Sequence, residues 1–94
     1  MAKSRRPVMR LLDVLGRRWA LRVLWELRAG PQTFRALRAA CDEVSPTSLN
    51  QRLAELRGLD IVAASAAGYA LTPSGKRLAK IVLALHGWAE AHLR

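Results

Sequence analysis

A mostly α-helical fold with one small β-hairpin is predicted by three features of the chain. Apolar residues recur at helical spacing in five segments. Ser45-Pro46 and Thr72-Pro73 each join a capping hydroxyl to a proline suited to the first helical position. Between them, Ile61-Val62-Ala63-Ala64 and Tyr69-Ala70-Leu71-Thr72 read as two short strands around Ser65-Ala66-Ala67-Gly68. A length of 94 residues is enough for one domain with a modest core and too short for two.

The elements follow in order. Pro7 opens a first helix in which Val8, Leu11, Leu12 and Leu15 recur, and Gly16 ends it. A second helix is expected from about Arg18 to Arg28. Its apolar residues, among them Ala20, Leu21, Val23, Leu24, Trp25 and Leu27, cover more than one face, as in a helix buried on several sides or lying in a seam. Gly30-Pro31 stops it. Thr33 caps a third helix with Phe34, Leu37 and Cys41 on one stripe, and Asp42 to Ser45 form a short turn. A fourth helix from Pro46 carries a narrow stripe of Leu49, Leu53 and Leu56. After the hairpin, a last helix runs from Pro73 to about Leu93, with Leu78, Ile81, Val82, Leu85, Trp88 and Ala89 on one side. Two short helices across a tight turn, the second polar on its outer face, are a helix-turn-helix. With the hairpin as a wing, the expected architecture is a winged helix-turn-helix with an extra helix at each end. The helix-turn-helix spans 33–58, the short wing 61–72, and residues 1–6 form a flexible basic tail.

Composition narrows the partners. Half the residues are apolar, so the chain is not disordered by composition. No apolar run approaches a bilayer span, and the basic start lacks the apolar stretch of a secretory signal. A cytoplasmic location and no membrane partner are expected. The net charge of +9 favours a polyanion. Residues 1–40 carry ten basic side chains against Asp13 and Glu26. Residues 41–75 carry Arg52 and Arg57 against Asp42, Glu43, Glu55 and Asp60, and the balance turns positive again from Lys76. Codon use in a high-GC genome is the competing account of so much arginine.

Four segments in order resemble the HxlR family of winged helix-turn-helix regulators, bacterial relatives of the MarR type. These are Gly16-Arg17-Arg18-Trp19, Gly30-Pro31 with Phe34 and Leu37, Val44-Ser45-Pro46 followed by Leu49 to Leu56, and Tyr69-Ala70-Leu71-Thr72-Pro73-Ser74-Gly75. The resemblance spans roughly residues 6–90. It implies a transcriptional regulator that binds double-stranded DNA as a homodimer on an inverted repeat, its seam built from the terminal helices. Val8, Leu11, Leu12, Leu15, Leu85 and Trp88 are the seam candidates, and the apolar faces of these helices exceed what one small core needs. Three departures stand out. Arg6 occupies the place of a cysteine found before Pro-Val in many members, which leaves thiol sensing by that route without support. Asp60 stands where a glycine usually ends the fourth helix; aspartate tolerates a left-handed backbone better than most residues. The wing is short and carries no Lys or Arg.

At about 100° per residue, the leucine stripe of the fourth helix leaves Thr47, Gln51 and Ala54 pointing away from the core, with Ser48, Asn50 and Glu55 on the flanks. Thr47, Ser48, Asn50 and Gln51 are polar groups near a helix N-terminus, the chemistry that approaches base edges in a major groove. An ordinary solvated helix face is the bland alternative. Arg52, about 60° from the core stripe, either reaches a phosphate or folds back on Glu55 or Glu43. Thr33, Arg35 and Arg38 sit on the helix expected to cross the DNA backbone. Lys3, Arg5 and Arg6 would add nonspecific affinity.

Trp19, Trp25 and Trp88 lie in apolar stripes and read as core or seam packing, with an aromatic ligand pocket as the lesser alternative. Cys41 reads as a buried small apolar residue and, as a lone cysteine, offers no internal disulfide. His86 and His92 fall on different helix faces with no companion ligands, so no metal or other cofactor is expected. No phosphate loop or nucleophile motif is present, and no catalytic residue is assigned. No residue pattern supports a small-molecule effector. The competing function is a winged helix used for protein contacts, favoured by the uncharged wing and by the acidic group Asp42, Glu43, Glu55 and Asp60.

Overall fold

The computed structural model describes residues 6–93, so Lys3 and Arg5 of the basic tail lie outside the described residues. Five helices and one hairpin follow one another as α1 (Pro7–Leu15), α2 (Ala20–Leu27), α3 (Phe34–Ala40), α4 (Pro46–Gly58), β1 (Val62–Ser65), β2 (Gly68–Leu71) and α5 (Pro73–His92). This is the winged helix-turn-helix order that the sequence predicts.

Three helix starts use one chemical device. Thr33 Oγ1 accepts from the Ala36 N–H at 3.1 Å, Ser45 Oγ from Ser48 at 3.1 Å, and Thr72 Oγ1 from Gly75 at 2.9 Å. Each hydroxyl satisfies an amide that the helix itself leaves unpaired. Pro46 and Pro73 then open α4 and α5 at positions where a missing N–H costs nothing.

One hydrophobic cluster joins these elements. It contains Val23, Leu24 and Leu27 of α2, Leu37 of α3, Leu49, Leu53 and Leu56 of α4, and Ile61, Val62 and Leu71 of the hairpin region. Cys41 and Val44 extend the cluster through the α3–α4 turn. The three α4 leucines are almost fully shielded, as their spacing predicts.

Two boundaries differ from expectation, each for a tertiary reason. The second helix starts at Ala20 because Trp19 is left-handed, with φ of 76°. For a bulky residue such a backbone costs about 1–3 kcal/mol. Packing of Trp19 against the core, with the Arg18 guanidinium 5.8 Å from its ring centre, accompanies it. The hairpin sits one residue nearer its tip than expected. Ile61 donates its N–H back to Leu56 O at 2.9 Å and Thr72 is committed to capping α5, so neither belongs to a strand. Pairing instead reaches the tip, Val62 to Leu71 through Ser65 to Gly68, around the turn Ala66-Ala67. A further bridge links Gln32 and Tyr69 by two bonds of 2.9 and 2.8 Å, stitching the segment before α3 to the wing.

The terminal helices contrast with this core. α1 buries no residue, and α5 buries only Gly75. Leu78, Ala79 and Val82 of α5 pack partly against the core. Ile81, Leu85 and Trp88, predicted on the same side, are 66%, 61% and 55% exposed.

Gly75 is required by space. A Cβ there would collide with the Ile61 carbonyl oxygen, because the first turn of α5 lies directly on the approach to β1. Gly87 of the same helix faces open space. Gly75→Ala should therefore destabilise the fold by about 1–3 kcal/mol. At roughly 4–8 °C per kcal/mol, that loss is visible as a lower midpoint in thermal unfolding followed by circular dichroism. Gly87→Ala should raise the midpoint through helix propensity alone. A Gly75→Ala midpoint at or above wild type would contradict the close contact.

Candidate nucleic-acid interface

The turn between α3 and α4 is held by its own backbone and by one arginine. Asp42 and Glu43 are both left-handed, with φ of 58°. Their amides donate to Ala39 O at 3.2 Å and Arg38 O at 3.0 Å. Arg38 spans the turn: its Nε donates to Val44 O at 2.7 Å and its Nη1 lies 3.3 Å from Glu43. The guanidinium expected on the DNA backbone is thus already a strut. Arg35, on the same helix, is exposed and makes no ion pair among the described residues. Thr33 is exposed at the head of α3, with its hydroxyl oxygen occupied by the cap.

On α4 the burial of Leu49, Leu53 and Leu56 sets the roll of the helix. Thr47, Asn50, Gln51 and Ala54 are exposed as a consequence, and Ser48 is half-buried. The Ser48 hydroxyl accepts from Ser45 Oγ at 3.0 Å. These side chains occupy the first turns of a helix whose N-terminal amides add positive potential. Thr47, Ser48, Asn50 and Gln51 share an outward surface.

Arg52 resolves to one of its two expected fates. Its side chain is only 14% exposed and folds back on Glu55, with Nε 2.9 Å from Oε1. Its Nη1 donates to Arg18 O at 3.4 Å, and its Nη2 reaches Gln51 Oε1 at 3.5 Å. Glu43, the other expected partner, is taken by Arg38.

Three of the four carboxylates of the acidic group seen in the sequence are in ion pairs, although Asp42 and Glu43 stay exposed. Asp42 lies 3.7 Å from Arg22, Glu43 pairs with Arg38, and Glu55 faces both Arg52 and Arg17. Arg22 also donates to Glu26 at 2.8 Å, a bond that raises its already high pKa. Asp60 is left-handed at the end of α4, with φ of 58°, as its place in the sequence suggests. Sequence reasoning missed Arg17, whose 3.4 Å contact with Glu55 joins residues far apart in the chain; no spacing rule brings them together.

The wing presents small groups. Ser65 Oγ accepts from the Ala67 N–H at 3.2 Å, and no lysine or arginine stands between residues 61 and 72. Elsewhere, Val8, Leu12, Leu85 and Trp88 are exposed, whereas Leu11 and Leu15 pack partly against the core. A groove between α2 and α5 is lined by Leu21, Trp25, Val82, Leu85, His86 and Ala89. Among the described residues no cluster of His, Cys, Asp or Glu fits a metal ion, and no helix is long and apolar enough to cross a membrane.

An exposed polar start to α4, set by a buried leucine stripe and flanked by a free arginine on α3, defines a helix-turn-helix protein with a wing. The HxlR-like helix-turn-helix family model matches residues 14–94, and the chain belongs to that family of transcriptional regulators, with DNA-binding regulation implied by membership. A relative described as an uncharacterized HTH-type transcriptional regulator, YvaP of Bacillus subtilis (strain 168), is 32% identical over 85 residues, covering 83% of this chain and 79% of the relative. The solved structure of reduced YodB, a transcriptional regulator from B. subtilis, matches with a TM-score of 0.81 and 26% identity over 95% of both chains. The quinone-bound form of YodB matches with a TM-score of 0.80 and 28% identity, over 86% of this chain and 92% of that one.

Cys41 lies in the core cluster and is fully shielded. Burial pushes its thiol pKa up, offset in part by the Arg22 charge. Alkylation requires the thiolate, so both access and ionisation oppose it. A bulky maleimide at neutral pH should label native protein slowly and unfolded protein rapidly. Fast native labelling would show that the α3–α4 turn opens readily.

Proposed function

We propose that the chain is a sequence-specific regulator that reads duplex DNA as a homodimer on an inverted repeat. The observation that carries this reading is the roll of α4: three shielded leucines leave Thr47, Asn50 and Gln51 outward on its first turns. Gln51 and Asn50 offer the paired donor and acceptor that match adenine in the major groove. Ser48 and Thr47 suit phosphate or base edges, with Arg52 behind them as a support. Arg35 and Thr33 serve as backbone contacts on α3, with Arg38 a lesser one because its guanidinium braces the turn. The unit is the whole chain, residues 1–94, in the cytoplasm, and it needs neither a cofactor nor an enzymatic step.

Dimerisation is supported by the uncovered apolar surface of α1 and α5. Val8, Leu12, Leu85 and Trp88 are each more than half exposed, a costly arrangement for an isolated protomer. Leu11 and Leu15 lie beneath, shared between core and seam. A two-fold assembly would place two α4 helices in successive major grooves, about 34–36 Å apart.

The competing protein-contact reading drew on the acidic group Asp42, Glu43, Glu55 and Asp60. Three of those carboxylates face arginines, which weakens the case for an acidic docking patch.

Sedimentation at micromolar concentration should give about twice the chain mass; a monomer there would remove the basis for an inverted repeat. In duplexes selected from a random pool, Gln51→Ala should cost about 1–3 kcal/mol per half-site and leave random duplex unaffected. Arg35→Ala should weaken all duplexes alike and flatten log affinity against log salt by roughly 0.9 per copy. Leu53→Ala is the folding control, with a loss of about 2–5 kcal/mol. Salt-independent binding, or a selected-to-random ratio untouched by Gln51→Ala, Asn50→Ala and Ser48→Ala, would favour the protein-contact reading.

A further inference from the structure

Two guanidinium groups converge on one carboxylate at the inner flank of α4. Glu55 is half-buried. Its Oε1 forms an ion pair with Arg52 Nε at 2.9 Å, and both atoms are shielded from solvent with no hydrogen-bond partner. Its Oε2 accepts from Arg52 Nη2 at 3.4 Å and lies 3.4 Å from Arg17 Nε. Arg17 comes from the turn between α1 and α2; Arg52 comes from α4 and also donates to Arg18 O in that turn. The side chain of Arg17 remains 53% exposed, so its pairing with Glu55 is what competes with ions in solvent.

We infer that Glu55 is a specificity-determining positioning residue: it withholds Arg17 and Arg52 from phosphate and, through Arg52, orients Gln51. The inference rests on the proposed DNA reading. Phosphate attraction is blind to sequence and grows with each cation presented, whereas selectivity is the ratio of cognate to random affinity. In a chain of net charge +9, blind attraction is the larger hazard. A carboxylate beside the reading surface lowers it without touching a base. The same carboxylate fixes Arg52, whose Nη2 lies 3.5 Å from Gln51 Oε1, so the amide that would read adenine is held by a chain of charge beginning at Glu55.

A purely structural ion pair predicts something else. Loss of a shielded pair would lower stability and leave the number of phosphates engaged unchanged.

Glu55→Gln keeps the side-chain shape and removes the charge. The random-duplex slope of log affinity against log salt should steepen by roughly 0.9 for each guanidinium released. The variant should leave a heparin column at higher salt than Glu90→Gln, which makes the same change in net charge on α5. Its selected-to-random affinity ratio should fall several-fold. Arg17→Ala should leave the wild-type random slope unchanged, because Arg17 is already withheld; combined with Glu55→Gln it should reverse part of the steepening. Equal slopes and equal heparin elution for Glu55→Gln and Glu90→Gln, in folded protein, would overturn the inference. If Glu55→Gln does not fold, Arg17→Ala decides alone: a slope flattened by about 0.9 per copy shows that Arg17 contacts phosphate in the wild type and sinks the idea. A heparin shift in Glu55→Gln, with no duplex preferred by either protein, would retain the restraint on the arginines and reject the DNA reading instead.

Discussion

Everything on the candidate interface depends on the burial of Leu49, Leu53 and Leu56. A helix rolled by one residue, about 100°, would put Asn50, Ala54 and Arg57 where the leucines now sit. Each leucine is worth about 1.5–3 kcal/mol when removed from water, so three on one stripe hold α4 against that rotation. The exposure of Thr47, Asn50 and Gln51 is therefore the complement of a packing requirement. The α2 residues Val23, Leu24 and Leu27 belong to the same cluster, and they tie the roll of α4 to the position of the helix behind it.

Around this fixed helix, charge is arranged locally. Exposed ion pairs such as Arg38–Glu43 contribute little to stability individually. Their effect is on placement: Arg38 closes the α3–α4 turn, Arg22 bridges Glu26 and Asp42 and donates to Ala40 O, and Glu55 gathers two arginines from different elements. A composition that reads as excess basicity becomes a pattern in which some arginines are committed and others, such as Arg35, are open.

Local chemistry was legible in the sequence, and long-range chemistry was not. The caps at Thr33, Ser45 and Thr72 are written in adjacent residues, and all three form as read. The left-handed Asp60 was likewise visible from its position. Trp19 was not, because a bulky residue takes that backbone only where the surroundings hold it. The one-residue shift of the hairpin depended on Ile61 bonding back to Leu56, which periodicity cannot reveal. On the candidate interface, the outward set of α4 followed from helical geometry. The commitments of Arg38 and Arg52 did not, since each has more than one acceptor within reach of its long side chain. On α5, the apolar stripe reads as more than one small core needs, and Ile81, Leu85 and Trp88 do lie outside the protomer's own core.

The contact between Gly75 and the Ile61 carbonyl has a mechanical consequence. It seats the first turn of α5 against the root of the wing with no side chain between them. At about 1.5 Å per residue, the 20 residues of α5 form a rod roughly 30 Å long that starts at that seat. A tilt of about 5° at its base would move its far end by about 2.6 Å, comparable to the rise of one base pair. In the proposed two-fold assembly, were it joined through α5, a single methyl group at residue 75 would thus be felt as a change in the spacing between half-sites that the pair can span.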